Sequence, residues 1–540
     1  MADVRGPGGA KAGSVAAGRN ARLVAVGILL SRLAGFARDR AIAHYFGTSL
    51  FADVFRTALR MPNALQNLLG EGTLSASFIP VYAELLEQGR EEEAGRVAGA
   101  VLALLLAVAG AIALLGVVLA PVLVDVLVPG FEGPRRELTI ASIRIIFPMT
   151  GVLVLSAWAL GILNSHRRFF VAYVAPVLWN AAMIGALVFF GGRLAGGGLV
   201  IALSWGALIG GLLQFGVQLP WVLRLERRLR IRWDTRLAGV REAVRNAGPA
   251  IAGRGVVQLS AYLDVMLASL LAVGAVAALG YAQALYILPV SLFGMSVAAA
   301  ELPELARQRG TALDELRRRV EAGLRRIALY VVPSVVGYLV LGEVVVAGLY
   351  QTGDFGRGDT LQVYVVLAGY AIGLLATTNS RLFASAFFAL RDTRTPARYA
   401  FVRVVLAAVL GFGLMFQLDQ IEVMGRRLGA AGLSFAAGVA AWVEWGLLRR
   451  SLQAQIGAVS AGALPLAKMF LAAGVAAAIG RLILHVLPPL DPLLTAACVL
   501  IPYAALYFGL VELLGVAEAA TPLSRILRRR RGTEPPPPSI

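Results

Sequence analysis

The chain contains about fourteen apolar segments, each long enough to cross a lipid bilayer as a helix. A spanning helix needs about 20 mostly apolar residues, because it rises only about 1.5 Å per residue through the hydrocarbon layer. The segments lie near residues 22–45, 53–86, 97–127, 139–163, 172–192, 198–223, 246–273, 277–305, 325–350, 360–389, 396–417, 429–448, 463–487 and 493–515. This pattern predicts an all-α polytopic membrane protein with about 14 transmembrane helices.

The composition supports a membrane protein and argues against several other classes. Hydrophobic residues make up 58% of the 540 positions and charged residues 15%. The formal net charge is +18, but the arginines lie in short loops between apolar segments, so we do not expect nucleic acid as a partner. Cys498 has no second cysteine to pair with, and the three histidines have no cysteine or carboxylate at metal-ligand spacing. Neither a metal site nor a catalytic centre is expected.

The loop arginines indicate the orientation in the membrane. The loops on the side of the N-terminus carry Arg224, Arg227, Arg228, Arg230, Arg232, Arg236, Arg317, Arg318, Arg319, Arg325, Arg326, Arg391, Arg394, Arg398 and the run at 528–531. The opposite loops carry little beyond Arg135, Arg136, Arg193, Arg357, Arg426 and Arg427. Because arginine and lysine are enriched in short cytoplasmic loops, both termini are predicted to be cytoplasmic.

Two pairs of similar stretches indicate an internal repeat. Residues 60–80 resemble residues 286–303, and residues 162–169 resemble residues 388–395. Both pairs have an offset of about 226 residues, or six segments, and an even number of segments gives parallel repeats that commonly enclose a substrate path. Two pseudo-symmetric six-helix lobes are therefore predicted. Chance similarity among apolar helices is the alternative.

The first apolar segment carries charges that lipid would not tolerate. Ser31, Arg32, Gly35, Arg38 and Asp39 recur at helical spacing on one face. A charge at membrane depth costs several kcal/mol and normally faces a bundle interior or an aqueous cavity. A polar cavity is therefore predicted beside this helix, and local pairing near the membrane surface is the alternative.

The second segment continues the polar pattern. Its polar residues recur every three or four positions, at Asp53, Arg56, Arg60, Asn63, Asn67 and Glu71. Pro62, Gly70 and Gly72 interrupt the segment, and the backbone groups that they leave unpaired must be satisfied inside protein or by water. Two helices with several arginines suit an anionic ligand, because guanidinium binds phosphate oxygens through paired hydrogen bonds.

These residues closely resemble the MurJ (MviN) family of lipid II flippases, within the superfamily of multidrug, oligosaccharidyl-lipid and polysaccharide exporters. The resemblance is carried by residues 31–39, 44–47, 52–53, 61–63 and 71–80, and further by 248–251, 350–353 and 391–396. It implies two lobes around an inward-facing cationic cavity, with two more C-terminal helices that line a groove for the lipid tail. The functional residues of the family that match are Ser31, Arg32, Arg38, Asp39, Asp53 and Glu71.

The chain departs from the family at two cavity positions. Gln66 and Asn67 stand where family members usually carry an arginine, and Ala284 stands where they carry another. Candidates to restore the cavity charge are Arg56, Arg60, Arg254 and Arg381. Alternatively, Arg254 forms a structural pair with Asp264.

The resemblance implies the following organisation. A disordered cytoplasmic tail (1–20) precedes an N-terminal lobe (21–223), a basic cytoplasmic loop (224–245) and a C-terminal lobe (246–450); residues 451–515 form the lipid-tail groove, and 516–540 a cytoplasmic tail. No cofactor is expected, and the energy source is either a coupling cation or the membrane potential. The expected partners are lipid II, membrane lipids and the cell-wall synthesis machinery.

The function that the resemblance implies is that of a transporter. Undecaprenyl-diphosphate-linked peptidoglycan precursor would cross from the cytoplasmic to the periplasmic leaflet of the bacterial inner membrane by alternating access. The alternative is a related exporter of another lipid-linked oligosaccharide or of drugs. A membrane-embedded glycosyltransferase would need paired catalytic carboxylates or a histidine at a membrane face, commonly with a large extramembrane domain, and no loop here is long enough for one.

Overall fold

Each predicted apolar segment is helical over most of the length that the structure, a computed structural model, describes. The described residues are 7–294, 313–516 and 518. The all-α fold class is confirmed, and the sole strands in these ranges, Glu422–Val423 and Arg426–Arg427, form a small hairpin. Met424 and Gly425 between them both have positive φ, as a tight hairpin turn requires.

Contacts divide the chain into two units. The first comprises Met1–Val276 and Thr352–Asp354, and the second Ala277–Gln351 and Phe355–Ile540. The helices of the first unit are α1 (Pro7–Phe46), α2 (Leu50–Leu69), α3 (Glu71–Glu87), α4 (Glu91–Val118), α5 (Ala120–Leu127), α6 (Gly133–Ser165), α7 (Phe169–Phe190), α8 (Gly197–Leu225) and α9 (Ala238–Ser269).

The second unit contains the remaining helices. They are α10 (Ala275–Pro289), which continues as a π-helical turn at Val290–Gly294, then α11 (Leu313–Val340), α12 (Gly342–Tyr350), α13 (Arg357–Ala389), α14 (Arg394–Asp419), α15 (Gly429–Ile456), α16 (Ala463–Val486) and α17 (Pro492–Leu513). The first two residues of α10 group with the first unit.

Eleven helical segments in the described ranges are long and apolar enough to cross a membrane. They correspond to all the predicted spans except the first, second and seventh, which are formed by α1, by α2 with α3, and by α9. Helices α1, α2 and α9 each carry at least three charged residues, and α3 is short, with 17 residues. Charged spans need protein partners or cavity water at membrane depth. The exceptions are therefore the helices in which a polar site is expected.

The helix boundaries differ from the prediction at three places. Helix α1 begins at Pro7, so it includes most of residues 1–20, which were predicted to form a disordered tail. Gly70 separates α2 from α3, whereas Pro62 is accommodated inside α2. Helix α9, predicted to open the second lobe, packs on α3 within the first unit, and Gly239 lies against Val81 and Val97. The predicted C-terminal tail lies mostly outside the described residues.

The loop after α8 is anchored by buried polar contacts. Tyr82 Oη donates to Glu226 Oε2 at 2.8 Å and lies 2.9 Å from His166 Nε2. Burial lowers the pKa of His166, which lies just beyond the end of α6. The backbone of this loop then packs directly on α4 at Gly95 and Gly99, because glycine has no side chain to prevent the close contact. This packing fixes the start of the basic loop.

In the second unit, tyrosines compensate for helix-breaking prolines. Pro333 has no N–H, so the carbonyl of Leu329 has no partner one turn earlier in α11. Tyr507 Oη of α17 donates to that carbonyl at 2.8 Å. In the same way, Tyr338 Oη donates at 2.9 Å to the carbonyl of Leu285, four residues before Pro289.

An apolar cavity of ≈ 260 Å³ lies beside these tyrosines. Its walls include Phe293 of the π-helical turn, Tyr330 of α11 and Phe508 of α17. The rings of Phe293 and Tyr330 are stacked with centroids 4.9 Å apart. The role predicted for the last two helices, binding the lipid tail, stays a prediction.

Candidate functional site

The polar face of α1 lies next to α7. The two helices approach closely because Gly27 of α1 has no side chain to meet Tyr173 of α7. Farther along α1, Arg32 is exposed. No atom would lie within 4 Å of a Cβ placed on Gly35, so the helix faces open space there. Arg38 lies about 9 Å farther along the helix axis than Arg32. The predicted polar face therefore borders open space at its centre.

Arg38 is held by three groups. Its Nη2 and Nε atoms donate to Asp39 Oδ1 at 2.9 and 3.2 Å, and its Nη1 atom donates to Asn180 Oδ1 at 3.1 Å. The guanidinium carbon lies 5.4 Å from the centre of the Trp179 ring. The side chain is 17% exposed. Arg38 is therefore positioned in advance and still reachable by a ligand.

The partners of Arg38 on α7 are themselves fixed. Asn180 Nδ2 donates to the carbonyl of Pro176, which orients the amide oxygen toward Arg38. Trp179 Nε1 donates to the carbonyl of Ala207 at 3.1 Å, and Gly210 leaves room for the indole. An anion that replaced Asp39 would meet an arginine whose orientation is already set. This is the chemistry of a preformed phosphate or carboxylate site.

The polar residues predicted for the second span are carried by two helices, α2 and α3. Arg56, Arg60 and Asn63 are half-buried, and Arg60 lies within electrostatic reach of Tyr262 on α9. Glu71 is the first residue of α3, but its side chain lies outside the description. The polar seam predicted for the second span is therefore divided between two helices at Gly70.

Asp53 is fully buried at the start of α2. Its Oδ2 atom accepts hydrogen bonds from Arg135 Nη2 at 2.6 Å and from the backbone N–H of Gly274 at 2.7 Å. Arg135 also lies over the ring of Phe131, 3.6 Å from its centre. Gly274 has a φ of +95° and lies against Thr48, so a side chain there would be strained. In this arrangement Asp53 joins separate segments of the first unit, and its predicted contact with substrate stays untested.

The alternative role for Arg254 conflicts with the backbone of α9. Arg254 and Asp264 both lie in this continuous helix. Their Cα atoms are about 15 Å apart along its axis, which is farther than an arginine and an aspartate reach toward each other. The side chain of Arg254 lies outside the description. Its predicted role as a cavity cation stays a prediction.

In the second unit, Arg381 belongs to a charged group that sequence reasoning missed. Arg381 of α13 is exposed and within electrostatic reach of Arg403 on α14 and Glu444 on α15. Arg403 and Glu444 form an ion pair at 3.2 Å. Arg403 and Glu444 lie in different helices, more than 40 positions apart in sequence, so no local spacing links them.

Within the described ranges, no group of three or more histidine, cysteine, aspartate or glutamate side chains is placed to hold a metal ion. The charged groups described above are instead dominated by arginine.

Comparison with known proteins decides the family. The model of the family described as "Lipid II flippase MurJ" matches residues 42–492. The chain belongs to the MurJ family. A lipid II flippase MurJ of Burkholderia cenocepacia is 31% identical over 506 residues, which cover 90% of this chain and 95% of the relative. A probable lipid II flippase MurJ of Haemophilus influenzae is 30% identical, over 72% of this chain and 78% of the relative.

Solved structures support the same fold. A structure titled as lipid II flippase MurJ in an inward closed conformation has a TM-score of 0.71 and 20% identity, and the match covers 94% of this chain and 99% of that one. An inward-facing MATE-family transporter of the MOP superfamily has a TM-score of 0.62 and 18% identity, over 78% of this chain and 95% of that one. The MurJ fold thus extends over nearly the whole chain. The predicted family and fold are both confirmed.

Proposed function

We propose that this protein is a lipid II flippase, a transporter that moves the undecaprenyl-diphosphate-linked peptidoglycan precursor from the cytoplasmic to the periplasmic leaflet. The observation that carries the proposal is membership of the MurJ family over residues 42–492, with a relative covered over 95% of its length. The fold, shared with MOP-superfamily transporters, fits alternating access. It is a transporter and not an enzyme.

The Arg38 site suits the charged part of such a substrate. A diphosphate offers several anionic oxygens, and guanidinium binds them in pairs without losing its charge. Asp39 neutralises Arg38 through the 2.9 Å ion pair. Binding would replace Asp39 with phosphate, while Asn180 and Trp179 keep the arginine in position. Arg32, Arg56 and Arg60 would add positive charge nearby.

The proposal predicts rescue of a cell that has lost its own flippase. In a bacterium with its lipid II flippase under repressible control, expression of this chain should restore growth and rod or coccal shape after repression. Growth curves and accumulation of lipid II, measured in the same cultures, are the readouts. An empty vector and a MATE-family drug exporter serve as controls. Increased drug resistance without rescue would favour the exporter alternative.

Multiple membrane spans and family membership place the protein in the bacterial inner membrane. We propose further that both termini are cytoplasmic. The loop between α8 and α9 supports this orientation, because its exposed arginines include Arg227, Arg228, Arg230, Arg232 and Arg236.

The orientation predicts the labelling of single cysteines. In a Cys498→Ala background, a cysteine at Arg232 should be protected from an impermeant maleimide in intact spheroplasts and become labelled after permeabilisation. A cysteine at Leu194, in the loop between α7 and α8, should be labelled in intact spheroplasts. The reverse pattern would contradict the proposed orientation.

Three finer features rest on the family resemblance. The prenyl chain would lie along α16 and α17, beside the apolar cavity that α17 helps to form. Either a coupling cation or the membrane potential would supply the energy. Besides lipid II and the surrounding lipids, the cell-wall synthesis machinery is the proposed partner.

A further inference from the structure

The charged group in the second unit lies well inside helices that are long and apolar enough to cross a membrane. Arg381 is about 12 Å along the helix axis from the end of α13 at Ala389, and Arg403 is about 14 Å from the start of α14 at Arg394. These two helix ends are joined by a short turn, so both arginines lie at a similar depth from the same end of the unit. Ionisable residues at such depth normally mark a functional site, because lipid does not solvate them.

The two residues of the ion pair in this group differ in solvent exposure. Glu444 is buried, with 9% of its side chain exposed, whereas 36% of the Arg403 side chain is exposed. Arg403 Nη1 donates to Glu444 Oε2, and among the described residues this is its sole side-chain hydrogen bond. A guanidinium has five N–H donors. Arg403 therefore presents further donors outward while Glu444 holds it from behind.

Arg381 lies close to this pair and makes no side-chain hydrogen bond with any described residue. It is exposed on α13, and its charge interacts unfavourably with Arg403 and favourably with Glu444. The two guanidinium groups repel each other, and the single carboxylate neutralises only one of them. The group therefore has one net positive charge. An anion near both arginines would remove the repulsion.

A tyrosine lies beside this charged group. Tyr286 of α10 lies within electrostatic reach of all three charged residues, and its hydroxyl donates to Thr377 Oγ1 of α13 at 2.9 Å. The Tyr286 ring is stacked on Tyr370, with centroids 5.1 Å apart. Ala284, where the family usually carries an arginine, lies on the same helix about 3 Å farther along the axis.

We propose that Arg381 and Arg403 form a second anion-binding site, which takes a phosphate or carboxylate group of the transported headgroup, and that Glu444 is the counter-ion that the anion displaces. The proposal rests on the proposed flippase function. Arg403 thereby supplies, from α14, a charge that the family places at the position of Ala284. Glu444 keeps Arg403 in place when the site is empty and competes with the ligand for it.

The test is the affinity of the full-length protein, in nanodiscs, for two probes: undecaprenyl diphosphate and lipid II. Arg381→Gln and Arg403→Gln should each weaken binding of lipid II about tenfold or more, the change expected for loss of a charged hydrogen bond. Glu444→Gln should strengthen it, because it removes the competitor. Arg398→Gln, an exposed arginine on the same helix, is the matched control and should leave affinity unchanged.

The two probes identify the group that is bound. Equal weakening for both probes indicates the diphosphate, and weakening for lipid II alone indicates a carboxylate of the headgroup; either supports the site. A merely structural pair would make Arg403→Gln and Glu444→Gln change in the same direction, which would overturn the proposal. Wild-type affinity in both arginine variants would overturn it too. Should Glu444→Gln fail to accumulate, Glu444→Asp, which shortens the reach to Arg403, replaces it with the same expected direction.

The outcome also separates this proposal from the flippase function. If the unmodified protein rescues the depleted strain and binds lipid II while all variants match it, only the second site is wrong. If the unmodified protein neither rescues nor binds, the flippase function and the second site fail together.

Discussion

Arg38→Ala protein should reach the membrane in normal amounts and fail to support growth of the flippase-depleted strain. The transport rate should fall about 100-fold or more, because two or more charged hydrogen bonds to phosphate are lost at once. Arg38→Lys should recover little, since an ammonium group cannot keep contact with Asn180 while it binds an anion in the paired geometry of guanidinium. Arg32→Ala should be impaired in the same assay.

Two controls decide whether a loss of transport reflects the site. Arg193→Ala removes an exposed loop arginine that stacks on Phe189 and should leave growth normal. Asp39→Asn removes the group that neutralises Arg38, so protein should accumulate and bind undecaprenyl diphosphate at least as well as the unmodified chain. Normal growth with both Arg38→Ala and Arg32→Ala would rule out this anion site.

The helices could be predicted from the sequence because apolar length decides them almost alone. A run of about 20 apolar residues has one stable form in lipid, with all backbone hydrogen bonds made inside the helix. The polar face of α1 was also predictable, since residues three or four positions apart share a helix face. Local spacing therefore located Ser31, Arg32, Gly35, Arg38 and Asp39 together before any packing was known.

Contacts between helices could not be predicted in this way. Asn180, which binds Arg38, lies 142 positions away in sequence, and only the close packing of α1 on α7 brings the two together. Arg403 and Glu444 were missed for the same reason. They lie in different helices, and the packing of α14 against α15 is what pairs them.

Asp53 shows what helical periodicity leaves out. Its spacing from Arg56 and Arg60 predicts a shared seam along the second span. The structure adds that Asp53 is buried at the first turn of α2, where Arg135 and Gly274 bind it. Residues at a helix start are often engaged by whatever segment packs on that end, and the sequence of the helix carries no trace of it. Resemblance to the family identified Asp53 as functional but did not identify its partner.

Breaking the ion pair between Asp53 and Arg135 should reduce folding stability more than breaking most other ion pairs in the first unit. Asp53 is completely buried, and the Arg135 side chain is 7% exposed. Removing one partner leaves the other charge buried without compensation, which typically costs about 3–5 kcal/mol. Arg135→Ala should therefore lower membrane abundance and the melting temperature in detergent. Asp53→Asn should lower both as well, because it leaves the Arg135 charge buried without a counter-charge, although the amide oxygen still accepts from Gly274.

The exposed pair of Asp125 and Arg136, in the same part of the chain, is the matched control. Its ion pair is as short, at 2.6 Å, but it is open to solvent, so Asp125→Asn should leave abundance and melting temperature unchanged. Charge neutralisation on both sides, in Asp53→Asn with Arg135→Gln, should restore part of the stability lost in Arg135→Ala, since no buried charge remains. Stable, abundant Asp53→Asn protein that cannot rescue growth would instead make Asp53 a residue of the transport cycle, as the family resemblance implies.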